Sequence, residues 1–486
     1  MSGVAIEGRL HPLAAVLYGA RVVRNAGPLL LAGWVTDIPH LALLGLAAAV
    51  LVIGIPLSVL AWWRFRYRVE DGRLFVDAGV LVRRNRVVPL ERVRGVSLDE
   101  PLAHRVFGLV RARVEAAAAG DPGGELSLAA ISRPQADALR DAVLRVAAPA
   151  ADAPVVADPP PFAVMTPGRL ALAGATSGRF VFVPAAAAAG MLSFADDLGL
   201  EGLLRRSAGA VADRAPHSAG GIVVGVLAAA VAAVGLAALG SVIADWAFEL
   251  RADPQRLATV RGLLSRRRTT VDRRRLQGVE VCDSPVRRAL GVASVMAPVG
   301  GFSVSSDGDA AGRVRLLPLG DAEEVARVVA EVAPGEPPGL EPHPRAGLAR
   351  RITRAVALPL LVAPFPFLAG QPWVGWAAIA VALVMLPIAL DRHRSLGHGV
   401  GHRLIVRSGS LTRRRSLLDP AAPVAYTLSS SPFQRRRGLA SVTVHLGLGA
   451  GSRTVLDLGD DQAHALITAL QPWTREAAVR PAAPPG

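Results

Sequence analysis

Long apolar runs alternate along the chain with polar segments that contain short, β-branched stretches. The runs from Ile38 to Trp63 and from Gly220 to Ala244 carry no charged residue, and each reaches the roughly 20 residues that a membrane-spanning helix needs. The charge-free run from Ala355 to Leu390 is too long for one span. Its centre contains Pro and Gly, which predicts two helices joined by a tight turn. The pattern therefore predicts a protein that crosses a membrane several times.

Two weaker apolar segments complete the pairing of spans. Residues 26–36 are short and follow Arg21 and Arg24, so they predict either a span with snorkelling arginines or an interfacial segment. Residues 170–194 are interrupted by Arg179. An arginine inside a bilayer raises a functional question, whereas a span that begins near Arg179 places this side chain at the interface. The paired segments predict three helical hairpins, over 17–63, 170–245 and 355–390.

The arginines next to the spans predict which side the polar segments occupy. Arginines cluster outside each pair, and the turns near Asp37–His40 and Ala369–Pro372 carry none. By the positive-inside rule, both termini and all long polar segments are expected in the cytosol. The turn at 195–218 departs from this rule, because it contains Arg205, Arg206 and Arg214 among acidic residues.

The polar segments are three copies of one sequence repeat, and such self-similarity indicates a repeated structural unit. Each copy has a glycine followed four and five residues later by two arginines, then a proline, then a second glycine followed by an aliphatic residue. The anchors are Gly79, Gly262 and Gly409; the arginine pairs are Arg83–Arg84, Arg266–Arg267 and Arg413–Arg414; the prolines are Pro101, Pro285 and Pro432; the second glycines are Gly108, Gly291 and Gly438. Four shared features in three copies indicate an internal repeat.

Each copy predicts short strands followed by one helix. Segments such as Arg73–Val76 are short, β-branched and bounded by Gly or Pro, and the anchor glycines stand where a hairpin turn requires positive φ. Helical patterns begin near Arg133, Asp321 and Asp460, the last two of which are suited to cap a helix. Leu139 lies on the apolar face of the first of these helices, which could plug a small barrel. The fold class predicted is an α+β membrane protein.

These features resemble the bacterial pleckstrin-homology-like (PH-like) family of YdbS/YdbT-type membrane proteins, and three copies with three hairpins resemble its larger YdbT-like members. The first copy lacks the Gln that the family pattern has next, and Arg94 and Gly95 stand there instead. The third copy is degenerate, because it lacks the Val-Pro step and has Asp419–Pro420 in its place. The matching residues are Tyr67, Gly79, Arg83, Arg84, Val88, Pro89, Arg92 and Val93 in the first copy, Gly262, Arg266, Arg267, Arg275, Leu276 and Gln277 in the second, and Gly409, Arg413 and Arg414 in the third. The resemblance implies three small PH-like β-barrels, each capped by a C-terminal helix, and a smaller single-copy PH-like homologue as partner. It also implies a bacterial inner membrane.

The repeat and the spans together set the expected domain boundaries. They are a first hairpin (1–63), PH-like domain 1 (64–146), a Pro- and Ala-rich linker (147–168), a second hairpin (169–245), PH-like domain 2 (246–333), a Pro-rich linker (334–350), a third hairpin (351–391), a degenerate PH-like domain 3 (392–473) and a disordered tail (474–486).

Composition changes this picture little. The net charge is +15, and all 54 basic residues are Arg, which is typical of a high-GC bacterial genome. The charge fits a membrane protein with cytosolic arginines better than a nucleic-acid-binding protein, because aromatic residues make up only 5%. Cys282 is the single cysteine, so no intramolecular disulfide forms. The N-terminal residues predict no cleavable signal peptide.

Candidate chemistry is confined to a few side chains. The arginine pairs at 83–84, 266–267 and 413–414 could bind the phosphate of a lipid or a partner, or they could be solvated juxtamembrane arginines attracted to anionic lipid. His398 and His402 have a metal-ligand spacing, but the surrounding glycines favour a flexible hinge over a metal site.

No catalytic motif stands out, so we expect no enzyme, no cofactor and no metal. The leading hypothesis is a membrane scaffold that binds the smaller homologue or anionic lipid, with a role in envelope homeostasis or in resistance to membrane-active peptides. A transporter or export-complex component is the second hypothesis, and a membrane-embedded enzyme is the third.

Overall fold

The computed structural model of the chain describes residues 6–15, 40–78, 84–90, 93–116, 125–146, 160–177, 219–300, 312–447 and 450–479. The predicted segment at 17–36, the turn at 195–218, and Gly79, Arg83 and Arg179 lie outside the described residues.

The helices fall between and after groups of strands. They are α1 (His40–Arg64), α2 (Leu102–Val106), α3 (Arg133–Val146), α4 (Pro167–Ala175), α5 (Ala219–Ala244), α6 (Pro285–Ala289), α7 (Ala322–Val332), α8 (Arg345–Val362), α9 (Pro364–Leu368), α10 (Pro372–Arg394), α11 (Pro432–Arg435) and α12 (Asp460–Val479). Within the described residues, three segments are long and apolar enough to cross a membrane: Leu227–Ala244, Arg345–Leu368 and Pro372–Arg394.

Within the described residues, the strands form six groups of three and two additional short strands, β1 and β8, which lie at sheet edges. They are β1 (Ile6–Arg9), β2 (Arg66–Glu70), β3 (Arg73–Ala78), β4 (Arg84–Pro89), β5 (Val93–Pro101), β6 (Leu109–Ala116), β7 (Glu125–Ser132), β8 (Pro161–Val164), β9 (Glu249–Ala252), β10 (Arg256–Arg261), β11 (Ser265–Asp272), β12 (Gly278–Asp283), β13 (Val292–Pro298), β14 (Arg313–Asp321), β15 (Gly397–Val400), β16 (Leu404–Gly409), β17 (Arg413–Leu418), β18 (Pro423–Ser429), β19 (Leu439–Leu446) and β20 (Ser452–Gly459).

The sheets do not follow the boundaries of the repeats. Their strand orders are β1-β2-β3-β4, β7-β6-β5-β11-β10-β9-β8, β14-β13-β12-β17-β16-β15 and β18-β19-β20. Each of the two large sheets therefore joins the last three strands of one repeat to the first three strands of the next. No sheet closes into a barrel within the described residues, so the predicted barrels are wrong in this respect. The physical reason is that β5 and β12 use their edge hydrogen bonds to pair with β11 and β17.

The chain divides into two compact units. One consists of Met1–Asp253 and Leu257–Thr270, and the other of Pro254–Arg256 and Val271–Gly486. The division cuts through the second repeat, because its first and last three strands belong to different sheets.

Each unit has its own apolar core. In the first unit the core includes Tyr67, Leu74 and Leu139, so α3 buries the face that the sequence predicted. In the second unit the core includes Val442 of β19 and Leu466 of α12, so α12 covers this core. Alternating burial along β2 shows the two-residue period of a strand with one face in the core.

The repeated glycines and prolines define the turns of each copy. Gly262 and Gly409 have φ values of 105° and 107°, which confirms the predicted positive φ for both. In the second and third repeats, Pro285 and Pro432 open short helices that are capped by the side chains of Ser284 and Ser431.

Three further segments differ from their prediction. The tail was expected to be disordered from residue 474, but α12 continues to Val479; Thr474 bonds back to the carbonyl of Leu470, and good helix formers follow. The end of the linker at 147–168 supplies β8, which pairs with β9. The expected hinge around His398 is β15, whose glycines allow close packing against Leu340 and Gly339.

Candidate functional site: the junctions between repeats

The best-defined polar sites lie where one repeat pairs with the next. At the second junction, β12 pairs with β17 in antiparallel register from Gly278↔Leu418 to Asp283↔Arg413. Gly278 has a φ of 137° and approaches the backbone of Leu417, where no side chain would fit. The register places Glu280 opposite Ser416 and Cys282 opposite Arg414, so alternate residues bring polar groups together on one face.

Glu280 is the centre of this second junction. Its side chain is fully buried and faces the guanidinium groups of Arg313 at 3.1 Å and Arg414 at 3.8 Å. Arg453 forms a further ion pair with it, and the hydroxyl of Ser416 donates a hydrogen bond at 3.1 Å. Burial lowers the pKa of Arg313, and the carboxylate of Glu280 opposes that shift. A buried carboxylate in this position balances guanidinium groups that burial would otherwise disfavour strongly.

The first junction uses the same chemistry with a different acid. Asp99 in β5 is buried and accepts hydrogen bonds from the Nε of Arg267 at 2.7 Å and from Arg113 at 2.8 Å. Arg267 belongs to the second repeat and Asp99 to the first, so this ion pair spans two copies within one sheet. At both junctions, a buried acid of the earlier repeat therefore lies beside the second arginine of the pair in the later repeat. These are Asp99 with Arg267 and Glu280 with Arg414.

A second contact also recurs at both junctions. Arg105 in α2 donates to the carbonyl of Leu263 at 3.4 Å, and Arg288 in α6 donates to the carbonyl of Ser410 at 3.3 Å. In each case an arginine of the short helix reaches the turn that follows the anchor glycine of the next repeat. Two contacts that recur in register show that the junctions are built alike.

The structure thus separates the members of the predicted arginine pairs. For Arg267, an ion pair inside the sheet replaces the expected lipid contact, since the side chain is buried. Arg414 lies beside Glu280, and Arg413 bonds Asp391 at the end of α10. Arg266 is exposed at a small cavity, so it stays a candidate for a lipid or partner contact. Arg84 is the first residue of β4.

Acids at the ends of the apolar helices connect them to the sheets. Asp245 follows α5, is buried, and accepts a hydrogen bond from Arg261 at 2.8 Å. Asp391 near the end of α10 accepts from Arg413 and from the hydroxyl of Ser410 at 3.0 Å. These ion pairs fix the exit direction of each helix relative to the strand that follows it.

Among the described strands, the last repeat forms no further junction of this kind. β18 stands where β5 and β12 stand in the earlier repeats, but it pairs only with β19 among the described strands. Leu98 and Leu428 occupy the same place relative to Gly108 and Gly438, yet Leu98 is 7% exposed and Leu428 is 45% exposed. Arg435, which corresponds to Arg105 and Arg288, bonds only the local carbonyl of Ser430 in the described contacts.

Two buried histidines lie in the second unit, apart from the junctions. The Nδ1 of His343 is 2.7 Å from the carbonyl of Leu456, and its Nε2 is 3.2 Å from the Nδ1 of His398. Burial lowers the pKa of His343 to about 4, against a smaller opposing effect of its hydrogen bond to Leu456. His343 is therefore neutral at neutral pH.

We expect acid to destabilise the second unit through His343. Its folded pKa of about 4 lies below the unfolded value of about 6.5, so the unfolded chain binds a proton more readily and stability falls as pH drops through that window. The loss should reach about 2 to 3 kcal/mol near pH 4.5. Unfolding of the His343→Gln variant and the unchanged protein, compared between neutral pH and about pH 4.5, measures it. An equal pH dependence in both proteins would rule His343 out as the cause; His464→Gln, on an exposed helix face, is the control.

The described residues offer little else for catalysis or metal binding. No group of three or more His, Cys, Asp or Glu side chains in the described ranges could hold a metal ion. The Cys282 thiol is buried, which raises its pKa and disfavours the reactive thiolate.

Sequence reasoning missed the two junction acids. A usable signal was present for Glu280, which stands between Val279 and Val281 in β12, because a buried acid requires a partner. Asp99 is followed directly by Glu100, so its sequence neighbours did not single it out.

The geometry defines a class: a membrane protein built from repeated α+β domains that share sheets. The sequence profile of the family described as Bacterial PH domain matches residues 26–147, 202–333 and 356–472. The chain belongs to this family, with three copies of its domain. It is similar to the UPF0699 transmembrane protein YdbT of Bacillus subtilis (strain 168), with 21% identity over 433 residues that cover 84% of this chain and 85% of that protein. No solved structure matches the chain.

Proposed function

We propose that the protein is a non-enzymatic scaffold of the bacterial inner membrane that presents three PH-like domains to the cytosol. In the part of the chain that the structure describes, three apolar segments are long enough to span a bilayer. The arginines that flank the apolar runs favour the cytosolic side for the domains. Three helical hairpins would separate the domains. A role in envelope homeostasis or in resistance to membrane-active peptides fits such a scaffold.

The observation that carries the proposal is the way neighbouring repeats join. Both junctions extend a sheet from one domain into the next and add a buried ion pair between the two domains. Pairing of an edge strand with a strand from another chain is a common mode of protein recognition. A domain that joins its neighbour through an edge strand can join a domain on another chain in the same way.

The proposed partner is a smaller, single-copy PH-like membrane protein. β18 offers the edge that β5 and β12 use at the junctions, and Leu428 within β18 and Arg435 in α11 are exposed. Exposed edge strands are usually shortened, charged or covered because they invite pairing. β18 carries no charged residue, which favours its use as a binding edge. Exposed arginines such as Arg266 would add attraction to anionic inner-leaflet lipids.

Replacement of Leu428 by Arg should remove partner binding. A charge on the edge strand disfavours strand pairing, so we expect capture of the single-copy homologue to fall at least about tenfold, which corresponds to about 1.4 kcal/mol. The measurement is co-purification of the homologue with the tagged full chain from detergent extracts. Leu411→Arg, which changes another exposed leucine in the turn before β17, is the matched control and should leave capture unchanged.

Two results would count against the scaffold. Recovery of no homologue with the unchanged chain would remove the proposed partner. If the Leu428→Arg and Leu411→Arg variants both captured as much homologue as the unchanged chain, β18 would not be the binding edge.

A further inference from the structure

A cavity of about 290 Å³ opens between α8 and α10 near the ends of these helices that adjoin the third PH-like domain. Four arginines line it together with apolar side chains of α10. The arginines are Arg350, Arg351, Arg354 and Arg392, and the apolar residues include Met385 and Ile388. The volume of this cavity is several times the roughly 30 Å³ that one water molecule occupies in the liquid. The cavity therefore has room for a small polar group.

The charges around this cavity are not balanced. Asp457 is fully buried and pairs with Arg350 and with Arg351, the latter at 3.0 Å. These two pairs hold the first two guanidinium groups in place. Among the described residues, neither Arg354 nor Arg392 lies within ion-pair distance of a carboxylate. Four guanidinium groups thus share one carboxylate, which leaves the cavity strongly positive.

The position of the cavity along the helices is equally informative. Arg354 is the last charged residue before the charge-free run from Ala355 to Leu390, and Arg392 follows shortly after that run ends. The arginines therefore lie where the charged and charge-free parts of both helices meet. In a bilayer this is the level of the lipid phosphates, and basic pockets between spanning helices bind anionic headgroups there. Arginine is well suited to a phosphate because its planar guanidinium donates two parallel hydrogen bonds.

The geometry points to a binding site for the phosphate of an anionic phospholipid headgroup, held by Arg354 and Arg392, with acyl chains along the apolar faces of α8 and α10. This inference rests on the proposed function only in placing the two helices across a bilayer, and not on any protein partner. The ion pairs of Arg350 and Arg351 with Asp457 preorganise one wall of the site, so lipid binding requires little rearrangement there.

The test compares two pairs of substitutions with equal change of charge. Arg354→Gln with Arg392→Gln removes the two arginines of the site that lack a carboxylate. Arg345→Gln with Arg394→Gln removes one exposed arginine from each of the same helices, neither of which lines the cavity. The full-length proteins, purified in detergent, are titrated with phosphatidylglycerol or phosphatidylcholine, and bound lipid is counted by native mass spectrometry.

We expect phosphatidylglycerol to bind in preference to phosphatidylcholine. The site pair should weaken phosphatidylglycerol binding about 30-fold, which corresponds to about 2 kcal/mol, and the control pair less than about threefold. Arg354→Lys with Arg392→Lys keeps the charge and should retain part of the binding, which distinguishes loss of the site from misfolding.

Three outcomes would overturn the inference. They are equal losses in the site and control pairs, equal binding of the two lipids, and displacement of phosphatidylglycerol by millimolar inorganic phosphate, which would identify a soluble anion as the ligand. Capture of the single-copy homologue is measured on the same proteins. If the unchanged chain captured the homologue but bound no phosphatidylglycerol, this site alone would be refuted. If the unchanged chain bound phosphatidylglycerol but captured no homologue, the proposed scaffold alone would be refuted.

Discussion

Replacement of Glu280 by Gln should destabilise the second unit by about 3 to 5 kcal/mol, the cost of breaking a buried ion pair from one side. Glutamine has nearly the same shape as glutamate, so the change removes the charge with little change in packing. Arg453 and Arg313 would then lie buried beside a neutral group, with side chains only 7% and 15% exposed. Arg414 is 38% exposed and can turn towards water, so it contributes less to the loss.

The measurement is the unfolding transition of the full chain in detergent, together with hydrogen exchange of peptides from β12 and β17. Because Glu280 joins these two strands, their amides should lose protection before those of α12. Glu336→Gln, an exposed glutamate in the segment before α8, is the control and should change stability by less than about 0.5 kcal/mol. Addition of Arg453→Met to Glu280→Gln should recover part of the loss, since it removes one buried charge without a partner. A Glu280→Gln protein as stable as the control would show that the cluster does not hold the junction together.

The junction explains why the sequence predicted the elements better than the sheets. Strands, the closing helices and the positive φ at Gly262 and Gly409 follow from local patterns of two- and 3.6-residue periods and of turn residues. The pairing of β12 with β17 joins residues that are 130 to 140 positions apart, from Asp283↔Arg413 to Gly278↔Leu418. The local hydrophobic periodicity does not reveal this pairing. An edge strand has the same alternation of apolar and polar residues whether it pairs within its own domain or with a strand of another domain.

The candidate site shows the same limit. The paired arginines were identifiable as a recurring feature, but their two members have separate roles. The side chain of Arg267 points into the structure and bonds Asp99, whereas Arg266, the preceding residue of the strand, is exposed. This difference is expected because successive side chains of a strand point to opposite faces. Assignment of the two arginines to a β-strand could have predicted that one is buried and the other exposed. The acid that receives Arg267 could not be predicted from spacing, since it lies in another repeat.

Replacement of Gly409 by Ala should destabilise the third repeat by about 3 to 5 kcal/mol, from left-handed backbone strain and overpacking together. Gly409 has a φ of 107°, and a Cβ placed on it would overlap the carbonyl oxygen of Thr412. The strand turns here so that β16 and β17 can pair from Gly409↔Arg413 onward. Relief of the overlap requires the turn to open, which would also shift Arg413 away from Asp391 and loosen the connection to α10.

Gly438→Ala is the matched control for this prediction. Gly438 also has positive φ, at 61°, but its nearest neighbour to an added Cβ is a carboxylate oxygen of Asp460 at 3.7 Å, which is an ordinary contact. This variant should therefore lose only the left-handed cost of about 1 to 2 kcal/mol. The difference between the two variants in the unfolding midpoint isolates the close approach at the anchor turn. Equal losses would mean that φ alone selects glycine there, and that the recurrence of this glycine in three repeats reflects backbone conformation without any requirement for space.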